Sequence, residues 1–426
     1  MKSKKILVWF RNDLRLHDNE MLVEAIAKSD SILPVYFIDP RYYGLVNGED
    51  PKTGANRLRF LLESVASLRD DFQLLGGNLL IVTGKPEEML PQLVETLSIN
   101  EVYHHREVAL EETNISADVE DLLWKFKVNL KHFIGHTLYN KEDLPFPIKD
   151  IPDQFSQFKK KTERDAIVKP CIPTPTEINF VDMEDWGELP RLEDLGVHLD
   201  LSPSPEISYT AGGEKAGLKH LNALLSPDSI IYKKAGKSAQ EKSHFFSSLS
   251  PWLSLGCLSP RKVYWEIKNA EESFGANANF NQILLGLLWR DYFRFMFKKH
   301  GITFYGTTTE NEGELLNATD FEEWKNGETG HPLVDKFMTE LNHTGYIPHS
   351  ARLLVATFLI YILKVHWTAG AAYFEQKLID YAPASNWGNW AIVAGVAKGQ
   401  PSKQTFDVDR QIKILDADIY KTPSLV

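Results

Sequence analysis

The chain has 426 residues, 43% hydrophobic and 25% charged, so it is long enough for two or three globular domains and its composition does not indicate disorder. Its net charge of −11 argues against a protein that coats duplex nucleic acid with a broad basic face. The two cysteines, Cys171 and Cys257, form no spacing motif, and no run of about 18 apolar residues could span a membrane. The apolar run after the basic start is too short for a signal peptide, so we predict a cytoplasmic protein with no membrane partner.

The first 135 residues alternate β-rich runs with segments of helical length. The runs are KILVWF, SILPVYFID, NLLIVTG, EVYHHRE and NLKHFIG, and the helical segments cover residues 19–27, 55–70, 86–97 and 111–126. This alternation predicts a doubly wound α/β domain, a parallel sheet with helices on both faces. The first strand-to-helix turn, FRNDLRLHDN, contains no glycine, which argues against a dinucleotide bound in the ordinary Rossmann manner.

The rest of the chain changes character twice. Between residues 146 and 209 proline and charge dominate and no periodic pattern lasts, which predicts a long surface linker. Further on, apolar residues recur at a spacing of three to four and predict helices over 281–300, 332–342, 351–366 and 371–380. We therefore predict an α/β domain (1–135), an interdomain linker (136–210) and a large all-α domain (211–426).

Two stretches of the helical half combine polar and aromatic residues in ways that a core does not require. In HFFSSLSPWLSLGCLSPR, Ser247, Ser248 and Ser250 precede a proline, which suits either a phosphate at a helix start or ordinary helix capping. In LLGLLWRDYFRF, Arg290 stands next to Asp291 on an apolar helix. The two could form a buried ion pair, or the arginine could face an anionic or planar ligand.

A third stretch, LIDYAPASNWGNW, places Trp387 and Trp390 three residues apart, each directly preceded by an asparagine (Asn386 and Asn389). Together with Trp367 these rings could fill the core, stack on a flat cofactor or pass electrons. His104 and His105 are adjacent on a predicted strand and face opposite sides, so they cannot share a metal ion. No HExxH, P-loop or G-x-S-x-G motif is present, and we predict no metal.

Several longer motifs occur along the chain in this order: VWFRNDLRLHDN, DLPFP, SPWLSLGCLSPR, LLWRDYFRF, EEWKNGETGHPLVD, NHTGYIPHSARL, VHWTAGAAYF and LIDYAPASNWGNW. In that order they resemble the photolyase/cryptochrome family. The forms GCLSPR, LLWRDYFRF and SNWGNW are most similar to its cryptochrome-DASH branch. The resemblance runs from Lys5 to near Asp416 and covers nearly the whole chain.

This resemblance implies an α/β domain that can hold an antenna chromophore, a pterin such as methenyltetrahydrofolate or a flavin, followed by a linker and a helical domain that binds FAD. Blue light would drive electron transfer from the flavin to a pyrimidine dimer in DNA, or the light state would serve as a signal. Matched residue by residue, the FAD contacts would be Tyr232, Ser247, Ser250, Arg290, Arg352, Asp380 and Asn386. Trp289 and His349 would contact the dimer, and Trp390 and Trp367, with Asn386 beside the flavin, would serve electron transfer.

The chain also departs from the family pattern. Gly286 replaces a glutamate that contacts the dimer, and His349 replaces an asparagine. The other departures are Ser350 for an arginine, Ala382 for an acid, Ser248 for a basic residue and Glu314 for the outermost tryptophan of the electron chain. They concentrate in the expected flavin and DNA cavity.

Three functions are open at this point. The first is a blue-light-absorbing FAD flavoprotein, similar to deoxyribodipyrimidine photo-lyase, that repairs cyclobutane pyrimidine dimers in single-stranded DNA, where flipping a base costs least. The second is a non-catalytic cryptochrome-like photoreceptor or binding protein on the same scaffold. The third is a chain that has lost the flavin and kept the fold. In each case we expect a monomer.

Overall fold

The computed structural model describes residues 3–43, 51–197, 210–232, 247–305 and 318–399. Its N-terminal half is built on a five-stranded parallel sheet with the order β3-β2-β1-β4-β5. The strands are β1 (Lys5–Phe10), β2 (Ser31–Ile38), β3 (Leu80–Thr83), β4 (Glu101–His105) and β5 (Asn129–Phe133). All five lie within the predicted runs, so the predicted sheet is confirmed.

Helices cover both faces of this sheet. They are α1 (Glu20–Lys28), α2 (Pro40–Tyr43), α3 (Ala55–Leu74), α4 (Pro86–Leu97) and α5 (Leu110–Lys125). Alternate residues of β1 enter different hydrophobic clusters: Ile6 and Val8 belong to one, Leu7 and Trp9 to the other. Because side chains alternate across a strand, the sheet is buried on both faces, which is why its strands are almost continuously apolar.

The segment predicted as a surface linker is more ordered than its sequence indicates. It contains α6 (Phe155–Asp165), and Phe158 on this helix is fully buried. Phe180 pairs with Ile32 at the start of β2. These parts of the predicted surface linker therefore form regular structure and bury side chains, which the sequence did not predict. The helix was missed because KKKTERD makes most of it polar, and only a narrow apolar face contacts the core.

The C-terminal half is helical, as predicted. Its helices are α7 (Glu214–Leu224), α8 (Ser250–Ser254), α9 (Pro260–Phe274), α10 (Ala278–His300), α11 (Ala318–Asn326), α12 (Pro332–Thr344), α13 (His349–Thr357), α14 (Trp367–Lys377) and α15 (Pro383–Val393). The helix predicted over 351–366 continues past α13 only as a π-helical turn, Phe358–Ile362. No helix in the described ranges is long and apolar enough to cross a membrane. The division at residues 135 and 210 stays a prediction.

The first strand-to-helix turn joins the two halves. Arg15 is fully buried and donates hydrogen bonds to the carbonyls of Gly256 (2.8 Å) and Gly135 (2.9 Å). Gly256 has φ of 66°, and a Cβ there would lie 2.0 Å from the carbonyl oxygen of Asn12. Asp18 pairs with the Arg261 guanidinium at 2.6 Å. This glycine-free turn is therefore an interdomain contact that fixes the loop before α9 against the sheet.

Candidate functional site

A cavity of about 950 Å³ opens in the helical half, at the upper end of the size range of small-molecule and cofactor sites. Side chains from α6, α8, α10, α13 and α15 and from the loops beside them line it. Among the predicted site residues, those that line it are Ser247, Ser250, Trp289, Arg290, His349, Arg352 and Asp380. The structure therefore brings together residues that are far apart in the sequence.

An ion pair lies at the inner end of this cavity. Arg352 Nη2 donates to Asp380 Oδ2 at 2.8 Å, and the Ser250 hydroxyl donates to the same oxygen at 2.6 Å. The backbone N–H of Ile379 donates to the Gly345 carbonyl, which ties the loop carrying Asp380 to the loop that precedes α13. Burial alone would lower the pKa of the Arg352 guanidinium, but the charge and hydrogen bond of Asp380 together with Tyr346 outweigh burial, and the pKa lies above its ordinary value.

Two buried polar atoms on the cavity-lining side chains have no hydrogen-bond partner within the described protein: Asp380 Oδ1 and Arg290 Nη1. An unsatisfied buried polar group costs about 1–3 kcal/mol, so native structures rarely keep two in one cavity without a ligand or water to satisfy them. The two atoms offer an acceptor and a donor. They suit a ligand with both donors and acceptors along one edge.

Arg290 faces the cavity and does not pair with its neighbour Asp291. Its Nη2 donates to the Leu253 carbonyl at 2.7 Å, and burial together with the Arg294 charge lowers its pKa to about 10. Asp291 instead accepts from the backbone N–H groups of Leu138 (3.1 Å) and Tyr139 (3.2 Å). The two side chains leave the helix in different directions, so the structure favours the ligand-facing interpretation of Arg290.

The serines of the loop before α8, Ser247 and Ser248, do not cap this helix. The residue that precedes α8 is Leu249, and no side chain caps this helix. Ser247 and Ser248 line the cavity, and Ser248 has a left-handed φ of 49°. Ser250 uses its hydroxyl to bind Asp380, so in this structure it supports the ion pair.

A smaller cavity of about 70 Å³ continues from the ion pair towards α15. Asn386 is buried there and donates from Nδ2 to the Ala371 carbonyl at 2.9 Å. His349 lines both cavities, and burial together with the Arg352 charge lowers its pKa to about 4. Since the His349 side chain is exposed where it lines an open cavity, solvent screening weakens this shift. The ring is nevertheless neutral at pH 7 and can both donate and accept a hydrogen bond.

The tryptophans separate into two groups. Trp390 is buried on the lining of the smaller cavity, with its ring centroid 5.1 Å from Phe374 and 6.4 Å from Trp324. Trp367 is also buried, and its ring lies edge to face with Trp387 at 5.9 Å. Trp324 was not predicted as part of the site. The sequence feature that could have identified it is its position in EEWKNGETGHPLVD, one of the motifs that carry the family resemblance.

One predicted site residue, Tyr232, stands apart from the cavity. The hydroxyl of Tyr232 donates to the Leu225 carbonyl at 2.8 Å, and its ring packs on Phe274 and Phe280. Tyr232 is not among the described residues that line the cavity, so its contacts give no support to an FAD role. Glu314 lies outside the described residues.

At Gly286, on α10, the cavity wall is open. The position is exposed, and a Cβ added there would meet nothing within 4 Å. Ala382 caps α15 without any side-chain hydrogen bond. Gly286 therefore leaves open space where a larger side chain would fit. Ala382 leaves the first backbone N–H groups of α15 without a side-chain cap.

Phe155, at the start of α6, is a cavity residue that the sequence did not reveal. Its ring stacks on Trp289 with centroids 3.6 Å apart and planes 10° from parallel. The only available signal was the aromatic pair in DQFSQF, which also suits a plain helix face.

A second cavity, of about 110 Å³, lies at the carboxyl ends of the strands, where open α/β sheets bind ligands. Trp9, Arg11, Tyr42 and Glu112 are among its lining, and the buried Thr53 hydroxyl has no partner within the protein. Burial and the nearby Glu107 charge raise the pKa of Glu112 to about 7. The cavity thus offers aromatic faces and a carboxyl group that titrates near neutrality.

The histidines of the α/β half pair with neighbours on opposite sides of β4. His104 Nε2 lies 2.7 Å from His132 Nδ1, whereas His105 Nδ1 lies 2.6 Å from Asp13. Within the described part of the chain, no group of three or more histidine, cysteine or acidic side chains could hold a metal ion.

Comparison with known proteins places these features in a family. The family "DNA photolyase" matches residues 6–177, and "FAD binding domain of DNA photolyase" matches residues 283–420. The chain is 39% identical over 423 residues to a cryptochrome DASH from Gloeobacter violaceus, a match that covers 98% of this chain and 84% of the relative. A cryptochrome DASH from Natronomonas pharaonis is 38% identical over 416 residues, covering 97% and 88%.

Solved structures agree with this assignment. A crystal structure of a Synechocystis cryptochrome superposes with a TM-score of 0.89 at 35% identity, covering 98% of this chain and 87% of that one. An archaeal photolyase from Sulfolobus tokodaii, whose structure contains two FAD molecules, gives a TM-score of 0.77 at 25% identity and covers 97% and 87%. The predicted resemblance is confirmed: the chain belongs to the photolyase/cryptochrome family and carries its FAD-binding domain, with most similarity to cryptochrome DASH.

Proposed function

We propose that this protein is a blue-light-absorbing flavoprotein that binds FAD in the 950 Å³ cavity and acts on cyclobutane pyrimidine dimers in single-stranded DNA. The Arg352–Asp380 pair, with its unpartnered carboxylate oxygen, is the observation that carries the proposal. FAD, when bound, would supply light absorption and one-electron chemistry. The unpartnered acceptor on Asp380 and the unpartnered donor on Arg290 fit the mixed donors and acceptors of a flavin edge.

Different side chains of the cavity would contact different parts of the FAD. Asp380 would accept a hydrogen bond from the flavin while Arg352 and Ser250 hold its other oxygen in place. Arg290 would offer its free Nη1 to an anionic or carbonyl oxygen. Ser247 would contact the phosphate part of the cofactor, and Asn386 would lie beside the ring system.

Electron supply would depend on the buried tryptophans. Trp390 lines the smaller cavity, which Arg352 and Asp380 also line, and this supports a role as the nearest donor. Trp367, proposed as the next member, lies against Trp387 on the same helix as Trp390. Trp324, 6.4 Å from Trp390, adds a second neighbour through which charge could spread.

The substrate side of the proposal rests on Trp289 and His349. Both line the same cavity as the ion pair, so a base flipped into it would lie close to the flavin. An indole face supplies stacking, which is worth about 1–3 kcal/mol per base, and a neutral histidine can donate to a carbonyl. Flipping a base into the cavity costs least in a single strand, which supports a single-stranded substrate.

A second candidate function is a photoreceptor that binds FAD without repair. The open wall at Gly286 favours it, because a charged dimer contact is missing there. One such contact contributes about 1.5–3 kcal/mol to binding. Losing it, together with the change to His349, would weaken dimer recognition without affecting the flavin.

A repair assay distinguishes the two functions. Protein purified in the dark would be illuminated with reductant and an oligonucleotide containing one thymine dimer, single-stranded in one sample and duplex in the other. We expect light-dependent loss of dimers that is faster in the single strand. Unchanged dimer content in both strands, with flavin bound, would remove the repair function and favour the photoreceptor.

Several finer assignments are also proposals. We propose that the strand-end cavity, with Trp9 and Tyr42, holds an antenna pterin such as methenyltetrahydrofolate, because aromatic faces suit a flat chromophore. We further propose a cytoplasmic monomer, divided at residues 135 and 210. Chromophore released by heat denaturation, identified by its fluorescence, would test the antenna, and light scattering would test the monomer.

A further inference from the structure

One face of Trp289, the residue expected to stack on a base, is already covered. Phe155 lies parallel to it, 3.6 Å between centroids and 10° between planes. Phe293 is tilted at 5.4 Å, and Tyr292 lies edge-on at 5.5 Å. Both Phe155 and Trp289 are half-buried and both line the large cavity. The stacked pair is thus part of the cavity wall and not of the closed core.

The chain on either side of Phe155 is firmly held. The Asp153 carboxylate accepts from Lys299 Nζ and His300 Nε2, each at 2.6 Å, and its carbonyl accepts from the Tyr292 hydroxyl at 2.5 Å. On the other side, Phe158 is fully buried. Between these anchors Gln154 and Ser156 are exposed, and Gln154 makes no side-chain capping bond to α6. The backbone around Phe155 is therefore fixed, so a ligand that displaces this ring would do so through a change of its rotamer.

We propose that Phe155 is an aromatic gate that occupies the stacking face of Trp289 until a base displaces it. This inference rests on the proposed function, in which Trp289 stacks on the substrate. A second ring cannot share a face already covered at 3.6 Å, so an incoming base replaces the Phe155 contact and gains only the difference between the two stacking energies. The gate discriminates by size: an undamaged single base gains little over a benzene ring, whereas the two joined bases of a dimer present more surface.

Binding in the dark tests the gate. Flavin-loaded protein would be titrated with a fluorescently labelled single-stranded oligonucleotide, with and without a thymine dimer, and followed by anisotropy. Phe155→Ala removes the competing ring, and we expect it to bind the dimer oligonucleotide about twofold to tenfold more tightly than the parent. Phe146→Ala is the matched control, because Phe146 is also half-buried and packs on Phe158 but does not line the cavity. It should leave the affinity unchanged.

Unchanged or weaker binding by Phe155→Ala would overturn the gate, since the ring would then be neutral or itself a substrate contact. Parent protein and Phe155→Ala that both fail to prefer the dimer oligonucleotide would instead contradict the proposed function. In that case acrylamide quenching still tests the gate, with Trp289 emission isolated by subtracting a Trp289→Phe variant. More quenching of this emission in Phe155→Ala than in Phe146→Ala supports a covering ring, and equal quenching overturns it.

Discussion

Replacing Asp380 with asparagine perturbs the centre of the proposed flavin site while keeping nearly the same shape. The Asp380 side chain is 3% exposed and that of Arg352 is 23% exposed, so the pair is screened little by solvent. Asparagine removes the negative charge and keeps one acceptor oxygen in place of two. That oxygen can accept either from Arg352 and Ser250 or from the flavin, but not from both, and the amide N–H₂ takes the other place.

The size of the effect follows from these contacts. Removing one partner of a buried ion pair costs roughly 3–5 kcal/mol of folding free energy. We expect about 3 kcal/mol, at the low end of that range, because Arg352 keeps its bond to the Ile347 carbonyl. For the flavin, a bond to a charged acceptor exceeds a neutral one by about 1–1.5 kcal/mol, so its dissociation constant should rise about tenfold.

The assay measures bound flavin per chain after dialysis, with circular dichroism to check the fold. Asp228→Asn makes the same charge change at an exposed position of the helical half and should retain flavin like the parent. Folded Asp380→Asn that binds flavin as tightly as the parent would refute the role of the carboxylate. If this variant does not fold, Ser250→Ala removes only the hydroxyl donor and should still weaken flavin binding measurably.

The remaining predictions concern three other positions. Gly286→Ala should raise the free energy of unfolding by about 0.5–1 kcal/mol in urea titrations, because the site is an exposed helix interior with open space. Gly286→Glu should tighten binding of the dimer oligonucleotide, and unchanged affinity would contradict the idea that this contact is missing. The raised pKa of Glu112 means that the folded state keeps a proton that the unfolded chain releases near pH 4. This contribution to stability is lost as the pH rises through about 7, so Glu112→Gln should gain stability relative to the parent between about pH 5 and 8. Melting temperatures of the two proteins that differ by the same amount at every pH would contradict this prediction. Trp390→Phe should slow photoreduction of the bound flavin under blue light, and an unchanged rate would exclude Trp390 as the nearest donor.

Much of the fold could be predicted from local sequence patterns. The strands of the sheet are short apolar runs buried on both faces, and each is bounded by polar residues that the sequence shows directly. The helix α6 was missed because its single apolar face is narrow and its other faces are charged. The π-helical turn after α13 was also missed, since its residues continue the apolar pattern of the preceding helix.

The candidate site could be predicted only through resemblance to a family. Arg352 and Asp380 are ordinary residues in the sequence, and only the packing of the Gly345 loop against Ile379 brings them together. Phe155 lies in the predicted linker, where no periodic pattern indicates which residues face the core, so its contact with Trp289 could not be predicted. Ser250 was expected near a phosphate or as a helix cap. Its hydroxyl donates to Asp380, which lies on the loop between α14 and α15, and nothing in the sequence indicates that these two residues meet.

The central claim, that the cavity around Arg352 and Asp380 holds FAD, is tested most directly by the visible absorption spectrum of the protein purified in the dark. We expect the two bands of oxidised flavin, in the near ultraviolet and the blue, at close to one flavin per chain, and we expect Asp380→Asn to lose them. A spectrum without flavin bands, from protein that also fails to take up added FAD, would contradict the claim.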